Sequence, residues 1–287
     1  MNPDRAGVAL ALFLGWVLLC IPVQWLLLRL SPDGFARTFP PFFHRRLLKI
    51  LGIRVHHVGT PYEGGAVLVA ANHTGYIDIP VIGSLAPLSF VAKSEVATWP
   101  LFGTLAHLQR SVFVVRQRRT HAAEQRDELR NRLAAGERIV LFPEGTSSDG
   151  NRVLPFKSSL MSAAEVEIDG RPVMVQPLSV AYVGLHGLPM GREWRPYAAW
   201  YGDMDLAPHL WELLSMGPLD IVIEWHQPVT AAQFGGRKNL TIHCERTVAE
   251  GVARALRGNW TALGAQPEAE PVARPSALPE GAVLPAR

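Results

Sequence analysis

Val67-Leu68-Val69-Ala70-Ala71-Asn72-His73-Thr74-Gly75-Tyr76-Ile77-Asp78 joins a strand, a turn and a candidate base in one short run. Residues 66–71 have the length and unbroken apolarity of a strand buried on both faces. They stop at Asn72-His73-Thr74-Gly75, where turn and cap formers cluster. A histidine therefore emerges at the end of a buried strand, and a carboxylate, Asp78, follows it. A helix beginning near Thr74 would hold Asp78 just over one turn in, able to fold back towards His73. A carboxylate on one imidazole nitrogen fixes the tautomer and raises the basicity of the other. That is the minimum for taking a proton from an alcohol. A bare His-x4-Asp is a weak signal, since a strand-end histidine that merely caps a helix gives the same spacing. The rest of the chain decides.

Outward from this run, strands and helices alternate. Residues 54–58 precede it as a strand. After it, 79–85 read as a short helix, 88–92 as a strand, 95–108 as a helix and 112–115 as a strand. A charged helix at 120–135, a strand at 138–142, a helix at 158–166 and a longer strand at 173–183 follow. Strands near 194–201 and 219–225, a helix around 206–214 and a last helix at 239–257 complete the series. This alternation predicts an α/β domain with a largely parallel mixed sheet flanked by helices. Active residues in such sheets gather beyond the carboxyl ends of the strands.

The 287 residues are 48% hydrophobic and 18% charged, a folded chain at the apolar end of normal. Residues 7–28 are almost uninterrupted hydrophobe, broken by Pro22 and Gln24 and flanked by Arg5 and Arg29, long enough to cross a bilayer once. No small-x-small cleavage site follows, so residues 1–30 read as an uncleaved transmembrane anchor. Arg29, Arg37, Arg45, Arg46 and Lys49 lie beyond it and only Arg5 before it. That bias predicts a single N-terminal span in the inner membrane with the catalytic domain in the cytoplasm. Residues 31–52 read as an amphipathic interfacial segment, with Phe43, Leu47, Leu48, Ile50 and Leu51 opposite Arg45, Arg46 and Lys49; an ordinary core helix has the same pattern. The globular domain is assigned to 53–261. Residues 262–287, rich in Pro, Ala, Gly and Glu, read as a disordered tail.

Several classes drop out. A net charge of +3 without basic-aromatic interleaving excludes a dedicated nucleic-acid binder. Cys20 and Cys244 are far apart, and Cys20 lies in the apolar run, so neither a disulfide framework nor a zinc site is expected. The histidines outside the first motif lack ligand spacing, so no metal is expected. There is no Gly-x-Ser-x-Gly elbow, Gly-x4-Gly-Lys loop or Gly-x-Gly-x-x-Gly turn.

A second loop, Phe142-Pro143-Glu144-Gly145-Thr146-Ser147-Ser148, follows the strand at 138–142. Pro143 stops the strand, Gly145 permits an unusual backbone angle, and Thr146 and Ser147 bring hydroxyls near free amides. Such a ring of donors suits an anionic headgroup. Glu144 is out of place for an anion; it would accept from a substrate hydroxyl or pair with a basic neighbour such as Lys157. Arg116, at the end of the 112–115 strand, is placed to clamp phosphate through its fork, and Lys93 holds the same position after 88–92. Asn72 completes the candidate substrate-binding set.

In order, Asn72 to Asp78, Val112-Phe113-Val114-Val115-Arg116, Phe142 to Ser148 and Val175-Gln176-Pro177-Leu178 resemble the glycerolipid acyltransferase family of the 1-acyl-glycerol-3-phosphate acyltransferase type, over about residues 49–182. The resemblance implies that His73 is the general base, Asp78 its orienting partner, and Arg116 with Glu144-Gly145-Thr146 the acceptor's positioning groups. Pro177 would shape the far wall of the cleft. It implies a membrane-associated O-acyltransferase moving a fatty acyl group from acyl-CoA or acyl-ACP to the free hydroxyl of a lysolipid, without a cofactor. An acyl carrier protein is thereby a candidate partner, and 1-acyl-glycerol-3-phosphate, giving phosphatidic acid, is the leading acceptor. Three departures bear on the acceptor: the family's usual Gly is Arg110, the usual acid before the Arg is Val115, and the common Arg after Thr is Ser147. The last removes a frequent phosphate contact, so another lysolipid, such as a lyso-amino-acid (ornithine-type) lipid, is the alternative. A membrane-anchored thioester hydrolase and a non-catalytic lipid-binding module are the readings of other classes. The absent nucleophile elbow disfavours the first and the intact His73, Asp78 and Glu144 the second. Ala, Arg and Pro richness suits a bacterial chain.

Overall fold

The computed structural model describes residues 2–114 and 122–260. Two helices, α1 (Pro3–Leu30) and α2 (Phe35–Leu51), precede the first strand. Asn2 caps α1 by accepting from the Arg5 N–H, and Pro3 opens the helix where its missing donor costs nothing. Gly52, at φ 74°, closes α2 in the left-handed region.

Strands β1 (Ile53–Val58), β2 (Val67–Ala71), β3 (Ser89–Lys93), β4 (Val112–Val114), β5 (Arg138–Leu141), the small hairpin β6 (Glu167–Ile168) and β7 (Arg171–Pro172), β8 (Met174–Leu185), β9 (Leu188–Pro189) and β10 (Leu219–Trp225) follow. Helices α3 (Asp78–Gly83), α4 (Phe102–Leu108), α5 (Ala122–Ala134), α6 (Arg195–Ala198), α7 (Leu206–Met216) and α8 (Arg237–Leu256) lie between and after them. The main sheet runs β1-β10-β8-β2-β5-β3-β4, with β9 on β8. All pairings are parallel except those of β8 with β10 and β9. The sheet is the largely parallel, mixed one that the alternation predicts.

β2 lies between β5 and β8, and all five of its residues are buried. Its side chains alternate: Val67, Val69 and Ala71 enter one core with α1, α2, α3 and α7, while Leu68 and Ala70 enter the other with α5 and α8. Full burial of each Val or Leu is worth about 1.5–3 kcal/mol, which explains why this strand tolerates no polar residue before Asn72. Val69 pairs with Val140 and Ala70 with Leu141, so β2 and β5 end side by side and their two loops leave the sheet together.

α1 is long and apolar enough to cross a membrane by length and composition. One stripe of it, Ala6, Ala9, Phe13, Val17, Cys20 and Gln24, is buried against the domain. Both ends are tied down. Asn2 N–H donates to Ser215 O at 2.9 Å, Arg5 bonds Leu214 O and Leu51 O, and Gln24 Nε2 donates to Ala36 O and Leu108 O at 2.9 and 3.1 Å. The opposite side, Val8, Leu12, Leu18, Leu19, Trp25 and Leu26, is exposed.

Three expected elements differ. The helix at 95–108 is split into a 3-10 turn, Ser94–Thr98, and α4, because Pro100 disfavours helical geometry at Trp99 and cannot donate to a helical ladder. The helix at 158–166 is reduced to turns and the 3-10 segment Ser162–Glu165. The strand near 194–201 is instead the short helix α6, opened by Pro196 in its first turn. The tail at 262–287 lies outside the described residues.

Candidate active site

His73 follows β2, and α3 starts at Asp78 itself rather than near Thr74, with residues 73–77 as the connecting turn. The turn brings His73 Nδ1 to 2.8 Å from Asp78 Oδ2. The same oxygen accepts the backbone N–H of Thr74 at 2.6 Å and of Gly75 at 3.0 Å, while Oδ1 accepts from the Tyr182 hydroxyl at 2.9 Å. Asp78 is fully buried and offers no donor, so His73 donates from Nδ1 and keeps its lone pair on Nε2. The imidazole stacks on Phe142, ring centroids 4.0 Å apart, and lines a cavity of about 350 Å³.

Three loops are laced around this histidine. Ser148 N–H donates to His73 O at 2.8 Å, Ser147 Oγ to Trp200 O at 2.6 Å, and Trp200 N–H to Thr74 O at 3.0 Å. Gly75 is required by the last contact, because a Cβ there would lie 2.9 Å from the Trp200 nitrogen. Gly145 turns the second loop at φ 74°, the freedom expected of it. The Tyr76 hydroxyl and His209 Nδ1 share a hydrogen bond at 2.9 Å; burial raises the phenol and lowers the imidazole, which favours the neutral form of both.

The cavity continues from His73 beneath the two N-terminal helices, where Phe13, Cys20, Phe39, Phe43 and Leu47 form an apolar wall. One end therefore carries a base and the other suits an alkyl chain.

The structure gathers Lys93, Gly145 and Thr146 around this cavity with His73. The Lys157 ammonium lies beside the Gly145 backbone, 3.1 Å from where a Cβ would stand. Asn72 instead faces β8, donating to Val180 O at 2.9 Å and accepting from its N–H at 2.8 Å, a clamp between strands. Glu144 is 1% exposed and turns beneath the histidine, accepting the His73 N–H at 3.0 Å rather than lining the cavity. Pro177 lies within β8 opposite Ala70 and is not part of the cavity wall. Arg116 lies outside the described residues. Local patterning does not announce Tyr182, Trp200 or the contribution of α1 and α2, because each reaches the site from far along the chain. Among the described residues no group of His, Cys, Asp or Glu side chains is arranged to hold a metal ion.

Residues 52–181 match the Acyltransferase family. The lyso-ornithine lipid O-acyltransferase of Brucella abortus (strain 2308) is 44% identical over 256 residues, covering 88% of this chain and 93% of its own. The protein of the same name from Rhizobium meliloti (strain 1021) is 40% identical, covering 92% and 90%. A 1-acyl-sn-glycerol-3-phosphate acyltransferase of Neisseria gonorrhoeae is 30% identical, covering 71% and 75%. The crystal structure of the 1-acyl-sn-glycerophosphate acyltransferase PlsC from Thermotoga maritima shares the fold, with a TM-score of 0.67 at 23% identity over 89% of this chain and 98% of that one. A His-Asp pair whose histidine lines an apolar cavity, in this fold and among these relatives, places the chain in the 1-acyl-glycerol-3-phosphate acyltransferase family of enzymes that acylate lysolipids.

Proposed function

We propose that this enzyme moves a fatty acyl group from a thioester donor to the free hydroxyl of a lyso-amino-acid lipid of the ornithine type. The leading expectation, 1-acyl-glycerol-3-phosphate, gives way to the alternative acceptor. The observation that carries this choice is the 44% identity over 93% of a lyso-ornithine lipid O-acyltransferase, against 30% over 75% of a 1-acyl-sn-glycerol-3-phosphate acyltransferase. Ser147 at the cavity wall, where the resembled family commonly has Arg, points the same way.

In this reading the acceptor hydroxyl approaches His73 Nε2, which takes its proton as the oxygen attacks the thioester carbonyl. The new C–O bond forms, the tetrahedral oxyanion collapses, the C–S bond breaks, and the imidazolium returns the proton to the thiolate. No acyl-enzyme is required. Asp78 holds the imidazole in the reactive tautomer, and Thr146 and Ser147, which line the cavity beside it, are the candidate donors to the developing oxyanion. The acyl chain lies under α1 and α2, whose outward apolar faces meet the membrane. The bonds from both ends of α1 to the domain support a helix that stays against the catalytic domain at the membrane.

Purified protein assayed with lyso-ornithine lipid and lysophosphatidic acid, each with acyl-CoA and acyl-ACP, tests the proposal. Faster transfer to the ornithine acceptor is expected; a kcat/KM favouring lysophosphatidic acid with either donor would sink it.

A further inference from the structure

Three arginines converge on one buried carboxylate at the amino-terminal end of the sheet. Glu137 accepts from Arg110 at 2.6 Å and from Arg132 Nε at 2.8 Å, and Arg37 stands 3.7 Å from it. Ser89 opens β3 and Arg138 opens β5, so the cluster lies at the opposite ends of the strands from His73. Arg37, Arg110 and Arg138, with the turn between α1 and α2, line a hollow of about 540 Å³. It shares Pro40, Leu108 and Gln109 with the His73 cavity and is otherwise separate from it.

Four arginines, at 37, 110, 132 and 138, face Asp33 and Glu137 here, a surplus of two positive charges among the described side chains. The stretch 115–121, outside the described residues, holds three arginines and no acid, so it cannot cancel this surplus. Among the described residues Arg138 has no side-chain partner, and the Arg37 Nε–H is buried without one. Arg110 stands at φ 59°, in the left-handed region that favours glycine, so its backbone gains nothing from the side chain. What the side chain adds is charge. Phe35 lines the hollow and Leu30 is one residue from it; they are 72% and 73% exposed and continue the outward apolar face of α1. Guanidinium groups beside exposed apolar side chains match the depth at which lipid phosphates lie. A nucleic acid or an acidic protein segment would leave Leu30 and Phe35 bare to water. We propose that this hollow holds the phosphodiester headgroup of an anionic phospholipid of the bilayer, with Arg37, Arg110 and Arg138 on its oxygens and Glu137 holding the forks in place. The proposal rests on the reading of α1 and α2 as the side that meets the membrane.

Binding of the full chain to phosphatidylcholine vesicles, with and without phosphatidylglycerol, is the test. Phosphatidylglycerol should tighten binding at low salt and still do so at about 0.3 M salt, where diffuse attraction is screened and direct contact is not. Arg138→Gln and Arg110→Gly should each lose about fivefold of that affinity at both salt concentrations, the scale of one arginine at an anionic surface. Arg46→Gln, on the exposed side of α2, removes the same charge and should lose affinity at low salt alone. Arg138 has no partner to lose, so its variant should melt with the wild type, and it carries the test should Arg110→Gly not fold. Losses that match those of Arg46→Gln and vanish in salt would reduce the site to a diffuse field and overturn the proposal. Stabilisation by soluble glycerol phosphate equal to that by short-chain phosphatidylglycerol would overturn it as well, by making the ligand a free phosphate. A wild-type chain that binds neither vesicle would instead remove the membrane reading on which it rests.

Discussion

Tyr182 donates to Asp78 Oδ1 at 2.9 Å, on the carboxylate oxygen opposite the one that holds His73. Both side chains are buried, and burial first, then the negative charge of Asp78, push the phenol well above its usual range. It therefore stays a donor wherever the enzyme works. With bonds to both oxygens the carboxylate cannot rotate, and Oδ2 stays aimed at the imidazole. Tyr182→Phe leaves Oδ1 buried without a partner. We expect kcat to fall on the order of tenfold with KM little changed. The loss should be confined to kcat, because the substrates do not touch the Tyr182 hydroxyl that props Asp78. Steady-state kinetics and a thermal melt check this; an unchanged kcat denies Tyr182 a part in holding the base.

His73→Ala should reduce transfer by about 10²–10⁴-fold, the usual contribution of a positioned general base. The fold should survive, because the main-chain bonds of residue 73 to Glu144 and Ser148 do not need the ring. Single-turnover consumption of a labelled thioester measures the loss. A rate near that of the wild type would end the assignment of His73 as the base.

Much of this site is legible in the sequence because its central parts are local. A continuous apolar run that ends in turn formers announces β2 and its histidine, and Pro143 with Gly145 announces the second loop. What escapes local reading is long-range. Tyr182 meets Asp78 across 104 residues from inside an apolar strand, where a tyrosine looks like core. The aromatic run at 194–201 looks like a strand because aromatic residues favour strands. Its conformation is set by tertiary bonds instead: Arg195 to Tyr182 O and Met190 O, and Trp200 to Thr74. Glu144 is misread for a related reason. A carboxylate in a loop of donors looks like a ligand group, and only the packing shows it turned under the histidine.

α1 yields a topological prediction. Its first residues bond Ser215, Leu214 and Leu51, and Gln24 near its other end bonds Ala36 and Leu108. Single cysteines placed at Asn2 and at Asp33, in a background lacking Cys20 and Cys244, should therefore react with an impermeant maleimide from the same side of a sealed vesicle. Labelling from opposite sides would show that the helix leaves the domain and crosses the bilayer.

Burial raises the Glu144 carboxyl to about 8; the His73 N–H offsets part of this, and the charges of Asp78 and Glu245 add to it. The folded protein thus holds this proton more tightly than the unfolded chain, whose carboxyl titrates near 4.5. Its contribution to stability is complete below about pH 4.5 and is lost as pH rises towards about 8. Glu144→Gln keeps an acceptor for the His73 N–H and cannot ionise. The variant should therefore gain on the wild type as pH rises from about 5 to about 8, by a few degrees in Tm at the upper end. Because Glu144 does not line the cavity, kcat should stay close to that of the wild type. Melting curves across that range decide the matter: parallel Tm–pH curves for the two proteins would mean that Glu144 is ionised in the folded state throughout, and a large loss of kcat would mean that its charge reaches the reaction.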